Sequence, residues 1–256
     1  RGVGVRAFVA GGMGLARAGS LELVAARRIG QQAAELARSA SPDPDFRCLP
    51  EPQPLGPSPK VFDDKVAGLP AETLVDWCVQ MIDRGRAAAD QVFVGGGAHA
   101  SSGVWAMASS TGVVVSVLSS WVGYHVFASV WDGEQAASYW DSTGARCLAD
   151  LQWADLPEAV VKRAASLVHD RPITTRRRDL VLDYKQAHYW LDSVLGSANA
   201  ESVQRKRSLL VGKEGEQIAS PVLTVVEDPF VPGGAASCAF DGEGVPRRKR
   251  ELLSAG

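Results

Sequence analysis

Two side chains on one predicted helix have a spacing that suits metal binding. His188 and Asp192 are four residues apart, so on a helix they lie on the same side and could contact one ion. A catalytic zinc site takes three protein ligands, and the sequence places no third ligand beside this pair. We therefore predict a local polar pair that flanks a buried stripe. A metal site at His188 and Asp192 is the alternative hypothesis.

Cysteine and the other histidines could support a different chemistry, that of a nucleophile and its base. Cys238 lies in a glycine-rich loop, where its thiolate would need a neighbouring histidine as base. His99, His125 and His169 are isolated along the chain, and no spacing brings any of them to Cys238. We predict that all four residues have structural or surface roles, and we assign no catalytic residue.

Composition argues against several classes of protein. Cys48, Cys78, Cys147 and Cys238 form no CxxC pair, which favours reduced thiols in a cytoplasmic chain over a zinc knuckle or a disulfide framework. The net charge is only -2, and no apolar run is long enough to cross a membrane. We therefore expect neither a nucleic-acid partner nor a membrane partner.

Two basic clusters and one glycine run have residue types that also occur in binding motifs. The clusters at 176–178 and 247–250 have no interleaved aromatic residues, so they are predicted to be solvated rather than to bind phosphate or an acidic partner. The glycines at 95–97 lack the G-x-G-x-x-G spacing, and no helix follows them. They are therefore not predicted to hold a phosphate.

The first 147 residues are predicted to form a hairpin, two helices and a meander. Alternating apolar residues over 3–16, with a turn at Gly11-Gly12, indicate a β-hairpin. Helical spacing over 21–39 and 71–86 flanks a proline-rich extended connection at 40–60. Beyond residue 90, turn residues at 95–97, 110–112, 132–133 and 142–144 separate five short predicted strands of an antiparallel meander.

The rest of the chain is predicted to mix helices with short strands. Asp155 and Glu158 suggest a capping box for a helix to about residue 169. A short buried strand at 180–182 is predicted to lead to a helix that Asp183 caps. The buried stripe of that helix is predicted to be Ala187, Trp190, Leu191 and Val194. A strand at 221–226 and a Gly/Pro-rich loop at 227–241 follow.

This order of elements predicts an α+β fold. It consists of an antiparallel β-meander with flanking helices, followed by a second mixed α/β segment. We place the boundary between an amino-terminal domain at 1–174 and a second domain at 175–256.

A series of motifs in one order resembles the TldD/PmbA family. The matching stretches are the DLVLDY segment at 179–184, RKRSL at 205–209, GKEGEQ at 212–217, Ser220-Pro221, the run 224–229, the PGG turn at 232–234 and FDGEGVP at 240–246. The start of the chain and its meander are also similar to the family's amino-terminal domain. The resemblance implies that domain at 1–174 and the start of the central or carboxy-terminal domain at 175–256.

One departure from the family places the chain on the PmbA (TldE)-like side. In TldD-like members an H-E-x-x-x-H motif lies on the helix after the LVLD-like strand, with two histidine ligands and a glutamate base. Here Asp192 and Ser197 stand in place of the histidines, and Ser193 stands in place of the glutamate. The resemblance therefore implies a vestigial metal helix and no metal or other cofactor on this chain.

The resemblance implies a subunit that pairs with a metal-bearing TldD-like partner. Zinc is expected on that partner, and the substrate would be a peptide or a small amide, with no substrate-binding residue assigned here. A bacterial antibiotic pathway is one setting for such a pair. Family chains usually continue well past this length, so we expect either a fragment or a naturally short subunit. The alternatives are a hydrolase active in its own right and a free-standing peptide-binding module.

Overall fold

The structure is a computed structural model that describes residues 1–256. The chain divides into two compact units, one formed by residues 1–51 with 109–111 and the other by residues 52–108 with 112–256. The predicted α+β class is confirmed by the elements of both units. The predicted boundary between residues 174 and 175 stays a prediction. No helix is long and apolar enough to cross a membrane.

The first unit is a hairpin packed on a helix. Strands β1 (Val3–Val9) and β2 (Gly12–Ala18) pair antiparallel, and helix α1 (Leu23–Ser39) follows, which confirms both predicted elements. The predicted Gly11-Gly12 turn is shifted by one residue, because Ala10 and Gly11 both have positive φ, 49° and 83°. Helix α1 buries Ile29, Ala33 and Ala37.

The second unit is built on three long antiparallel strands. Strands β3 (Val92–Ala108), β4 (Val114–Asp132) and β5 (Gln135–Ala145) pair in that order, which confirms the meander. The prediction of five short strands was wrong, since the residues at 95–97 and 142–144 lie inside strands. At Gly97 the lack of a side chain allows the His125 ring of the neighbouring strand to lie directly over the backbone, and no turn is formed.

Three helices pack on this unit's sheet. Helices α2 (Asp64–Ala67), α3 (Ala71–Ala87) and α4 (Leu156–Leu167) precede and follow it in the chain. The core that α3 and α4 share with the sheet contains Met81, Val94, Tyr124, Val126, Val160 and Val161. Val66 of α2 packs in a second cluster with Val122 of the sheet. The predicted helices at 71–86 and 155–169 are confirmed.

The predicted capping box of α4 was wrong. Asp155 makes no side-chain hydrogen bond to the start of the helix. Glu158 instead accepts a hydrogen bond from Nε of Arg84 on α3 at 2.6 Å. A tertiary partner has therefore replaced the local one that the spacing suggested.

The sheet is covered on opposite faces at its two ends. The residues that face α3 and α4 are Val122, Tyr124, Val126, Ala128 and Val130, all at even positions of β4. At the other end, odd-numbered Val115 and Val117 pack with Ala239 and Phe240 of the carboxy-terminal segment. Each strand pair keeps one continuous register, so these two groups lie on opposite faces.

The carboxy-terminal segment contains helices α5 (Tyr184–Gly196) and α6 (Ala200–Gln204) and strands β6 (Val225–Glu227) and β7 (Arg250–Leu253). Asp183 caps α5 by accepting hydrogen bonds from the Lys185 and Gln186 amides, as predicted. The proline-rich residues 40–60 form no helix or strand, as predicted, and of the predicted strand at 221–226 only the last two residues belong to β6.

Two predictions about burial near α5 were wrong. Residues 180–182 form no strand, and Val181 is 94% exposed. The apolar stripe of α5 contains no buried residue, and Trp190 in it is 58% exposed. The pattern did identify the helix correctly, but no element of this chain covers its apolar side. An ion pair between Lys185 and Asp141 connects α5 to the sheet.

Candidate functional site

Helix α5, where the resemblance predicts the family's metal motif, lacks the donors of a metal site. Asp192 and Ser193 are exposed on α5, and Ser197 lies at its carboxyl end. The Ser197 hydroxyl donates to the Ser193 carbonyl oxygen at 3.2 Å, so it closes the helix rather than facing a ligand. One carboxylate and two serines do not fit the three-ligand requirement of zinc.

The alternative ligand pair does not gain a third member in the fold. His188 is exposed and its ring lies 3.9 Å from that of Tyr189, centroid to centroid. Nowhere in residues 1–256 do three or more His, Cys, Asp or Glu side chains come together as a metal site would require. His188 and Asp192 are thus two exposed side chains on one helix.

The other titratable candidates are dispersed. His169 contacts Asp132, with Nε2 and Oδ2 2.9 Å apart, and also Gln135, and so links the end of α4 to the β4–β5 turn. Cys238 is half-buried, and its backbone amide donates to the Pro229 carbonyl. The structure brings no histidine to Cys238 among the residues that share its cavity.

His99 and His125 lie on one uncharged face of the sheet, which we call the open sheet face. It comprises Phe93, Gly95, Gly97, His99, Ser101 and Gly103 of β3, Trp121, Gly123, His125, Phe127, Ser129 and Trp131 of β4, and Ala136, Ser138, Trp140, Ser142 and Gly144 of β5. Phe93 is 56% exposed and Trp140 is 60% exposed. The strand positions of this face hold no Asp, Glu, Lys or Arg, which is unusual for a solvated sheet, and the charged group that lies against it is the guanidinium of Arg146, over the Trp121 ring.

Glycines allow large rings to lie flat on this face. The His99 ring covers Gly123, the His125 ring covers Gly97, and the Trp121 ring covers Gly144 on the next strand. A Cβ at Gly123 or Gly144 would overlap the ring above it. The glycines therefore serve the packing of rings and not a phosphate loop.

A groove of about 840 Å³ lies where the carboxy-terminal segment crosses the sheet. Its lining includes Trp105, Val117, Glu227, Cys238 and Phe240, together with residues 247–250. Arg248, Lys249 and Arg250 are exposed, as the sequence predicted for this basic run, and the run also lines one wall of the groove. Tertiary folding, not the local sequence, brings an aromatic wall opposite the basic residues.

The charged wall of the groove is organised around one carboxylate. Glu227 accepts from Nη2 of Arg247 at 2.9 Å and from Nε of Arg250 at 2.6 Å, one arginine for each oxygen. The hydrogen bond from Arg247, followed by that from Arg250, lowers the pKa of Glu227 below its ordinary value. Next to it Lys249 pairs with Asp228 at 2.9 Å, and this contact lowers the pKa of Asp228.

The opposite wall of the groove is aromatic. The rings of Trp105 and Phe240 stack with centroids 5.6 Å apart and planes 24° apart. Phe240 is itself held in the small core with Val113, Val115 and Ala239. A ligand in this groove would therefore meet an apolar surface on one side and guanidinium groups on the other.

A second, smaller cavity of about 300 Å³ adjoins the groove, since Trp105 lines both. Its lining includes Ser101, Ser119, Trp121 and Arg146. The Arg146 guanidinium lies 5.4 Å from the Trp121 ring centroid, and its Nη1 donates to the Ser120 carbonyl at 3.1 Å. Trp105, Glu227 and Arg146 carried no signal in the sequence, because tertiary folding brings them to these two cavities from distant parts of the chain.

The fold and the candidate sites define an α+β protein with an amphipathic groove and a metal-helix position that lacks ligands. Residues 175–256 match the family model described as the PmbA/TldA metallopeptidase C-terminal domain. The metalloprotease PmbA of Escherichia coli O157:H7 is 27% identical to this chain over an aligned length of 270. The aligned stretch covers 99% of this chain and 57% of that protein. Residues 175–256 therefore carry a domain of the PmbA/TldD family, and the chain as a whole is similar to members of that family.

Solved structures are similar over the same extent. The TldE of Thermococcus kodakarensis superposes with a TM-score of 0.79 at 25% identity, covering 98% of this chain and 57% of that one. A candidate modulator of DNA gyrase from Bacteroides thetaiotaomicron has a TM-score of 0.91 at 19% identity and shares the fold, covering 100% of this chain and 60% of that one. The chain thus spans somewhat more than half the length of these relatives.

Proposed function

We propose that this chain is a non-catalytic, TldE-like subunit of a heteromeric, metal-dependent peptidase or amide hydrolase. One observation carries the proposal: the metal-helix positions hold Asp192, Ser193 and Ser197, and the Ser197 hydroxyl is bonded to the backbone of its own helix. The similarity to proteins named metalloprotease PmbA and TldE supports a peptidase-related role.

The partner in this proposal is a TldD-like subunit that carries the H-E-x-x-x-H motif. The metal, expected to be zinc, and the hydrolytic chemistry belong to that partner. The uncovered apolar stripe of α5 and the uncharged open sheet face support an interaction role, because exposed apolar patches of this kind are typical of protein contacts. The substrate would be a peptide or a small amide, and a bacterial antibiotic pathway is the setting we propose for a small amide.

Two other functions follow from particular features. A hydrolase active in its own right would use His188 and Asp192, or Cys238 in the wall of the groove. A free-standing peptide-binding module would use the groove without any hydrolase partner. The absence of a base beside Cys238 and of a third ligand beside His188 favours the subunit over the independent hydrolase.

Co-purification with a TldD-like protein tests the proposal. The two chains are expressed together, purified through a tag on this chain alone, and analysed for zinc by mass spectrometry. We expect a stable heteromer in which zinc appears with the complex and this chain alone holds none. Stoichiometric zinc on the isolated chain would overturn the proposal, and His188→Ala would then be the first variant to examine.

The independent hydrolase has its own test in the same preparation. Cys238→Ala and His188→Ala should leave the turnover of the complex unchanged, since neither residue acts in the proposed chemistry. Loss of turnover with intact complex formation in either variant would favour catalysis by this chain.

A further inference from the structure

We propose that the groove between the β3–β4 end of the sheet and the carboxy-terminal segment binds an organic carboxylate with an adjoining apolar group, such as the carboxyl-terminal end of a peptide. The site belongs to this chain alone. It goes beyond the proposed role as a subunit, and it holds whether or not a metal-bearing partner exists.

The balance of charge in the groove favours an anion. Its charged lining consists of four basic side chains, at 247–250, and two acidic ones, Glu227 and Asp241. Asp228, which pairs with Lys249 beside this lining, is a third acidic side chain, so the groove keeps an excess of one positive charge, +4 - 3 = +1. A single carboxylate can enter this environment with little electrostatic cost.

Both acidic side chains of the lining already have donors, so they do not compete for the arginines that remain. Each oxygen of Glu227 accepts from one arginine, and Oδ1 of Asp241 accepts from the amides of Glu243 and Val245, both at 2.9 Å. Arg250 uses Nε for Glu227, which leaves the Nη groups of its five-donor fork. Arg248 is exposed along the groove. Guanidinium groups of this kind bind a carboxylate with two parallel hydrogen bonds.

The aromatic wall should make the site select ligands that carry an apolar group as well as a negative charge. Trp105, stacked on Phe240, and Val117 supply an apolar surface in the same groove as the arginines. A free inorganic anion would use only the basic wall. A ligand with an apolar side chain next to its carboxylate would use both walls and bury the aromatic surface as well.

The adjoining cavity offers room for a ligand that extends beyond the groove. Trp105 lines both cavities, and the serines at 101 and 119 and the Trp121 ring line the second. A chain that leaves the groove past Trp105 meets hydroxyl groups that can bond peptide N–H and C=O groups. A longer acylated peptide should therefore bind more tightly than a dipeptide with the same carboxyl terminus.

Isothermal titration calorimetry on the purified chain tests the site. The probes are N-acetyl-glycyl-phenylalanine and its carboxyl-terminal amide, which differ only in charge at the end that should meet the arginines. We expect the carboxylate to bind about tenfold more tightly than the amide, because a charge-assisted hydrogen bond is lost in the amide. Equal binding of the two probes, or no binding of either, would overturn the proposal.

Variants locate the interaction. Arg248→Ala should abolish the preference for the carboxylate, while Arg177→Ala, an exposed arginine outside the groove lining, should leave it unchanged. Trp105→Leu should weaken both probes alike, because it removes the aromatic wall. If that variant does not fold, as judged by circular dichroism, the Arg248 variant still decides the question. An equal effect of both arginine changes would contradict the assignment.

Inorganic phosphate distinguishes this site from a simple anion site. We expect phosphate to compete only at concentrations far above those of the dipeptide. Phosphate binding as tight as that of the dipeptide would overturn the amphipathic ligand. Because all these measurements use the isolated chain, their failure would leave the co-purification test of the subunit role unaffected.

Discussion

Arg247 donates from Nη2 to Oε1 of Glu227 at 2.9 Å, and this pair joins β6 to the residues just before β7. Arg250 occupies the other oxygen of the same carboxylate. The pair is only about a quarter exposed, so solvent screens it less than an ordinary surface ion pair. Glu227 therefore both organises the groove and couples the stability of this segment to pH.

Acidification should weaken the protein through Glu227. Because the folded-state pKa is lowered below the ordinary value of 4.5, the stabilisation is fully present above pH 4.5 and is lost as pH falls through the folded-state pKa. Glu227→Gln should lower the free energy of unfolding at pH 7 by about 1 kcal/mol and reduce its fall below pH 4.5. Urea denaturation at several pH values measures this. Glu214→Gln, at an exposed loop position, is the matched control.

Gly14 should tolerate no side chain. A Cβ there would overlap the Ala33 carbonyl oxygen of α1, and neither backbone can move without separating β2 from the helix. Gly14→Ala should therefore lower the free energy of unfolding by about 2 kcal/mol or more, the usual range for overpacking. Thermal denaturation measures the effect. Gly4→Ala is the control, since its Cβ would lie 3.6 Å from the nearest atom, and a comparable loss there would contradict the explanation.

The sequence predicts a structural feature correctly where the contact that fixes this feature lies between residues close together in the chain. Asp183 bonds amides within its own first helical turn, and the sequence predicted that cap correctly. The residues at 95–97 were wrongly predicted to form a turn, because the His125 ring that lies over Gly97 belongs to another strand and cannot be inferred from the local sequence. The Trp105–Phe240 pair depends on the crossing of the carboxy-terminal segment, which no local spacing encodes.

The same reasoning explains the candidate sites. The metal motif occupies consecutive turns of one helix, so its replacement by Asp192, Ser193 and Ser197 was visible in the sequence alone. The basic run at 247–250 was also visible, but its role was not, because Glu227 and the aromatic wall come from elsewhere in the chain. The stripe of α5 was predicted to be buried, since periodicity identifies an apolar side without showing what covers it.

Restoring the motif on α5 should not by itself create a tight zinc site. The variant Asp192→His, Ser193→Glu, Ser197→His, made together with His188→Ala so that the native histidine of α5 cannot serve as a ligand, supplies two histidines and a base but no third protein ligand. We expect less than stoichiometric zinc to remain after dialysis of this isolated variant, as measured by mass spectrometry. Retention of one zinc per chain would mean that another ligand reaches α5 and would contradict the geometry described above.

Trp190 should matter for assembly and not for folding. It is exposed on α5, so Trp190→Ala should change the free energy of unfolding by no more than about 0.5 kcal/mol. The same change should weaken binding to a TldD-like partner about tenfold or more if this side of α5 is buried in the complex. Surface plasmon resonance measures the affinity. Leu21→Ala, another exposed apolar residue, should have no effect on it.

The opposite coverage of the two ends of the β3–β4 pair protects the alignment of these strands. A slip of one residue would turn Tyr124 and Val126 away from α3 and α4, and it would also turn Val115 and Val117 away from Phe240. Both errors would follow from the same one-residue slip, so such a slip would disrupt both cores at once. Two long strands rich in glycine and serine, which alone would slide easily, are thereby held against a one-residue slip at both ends.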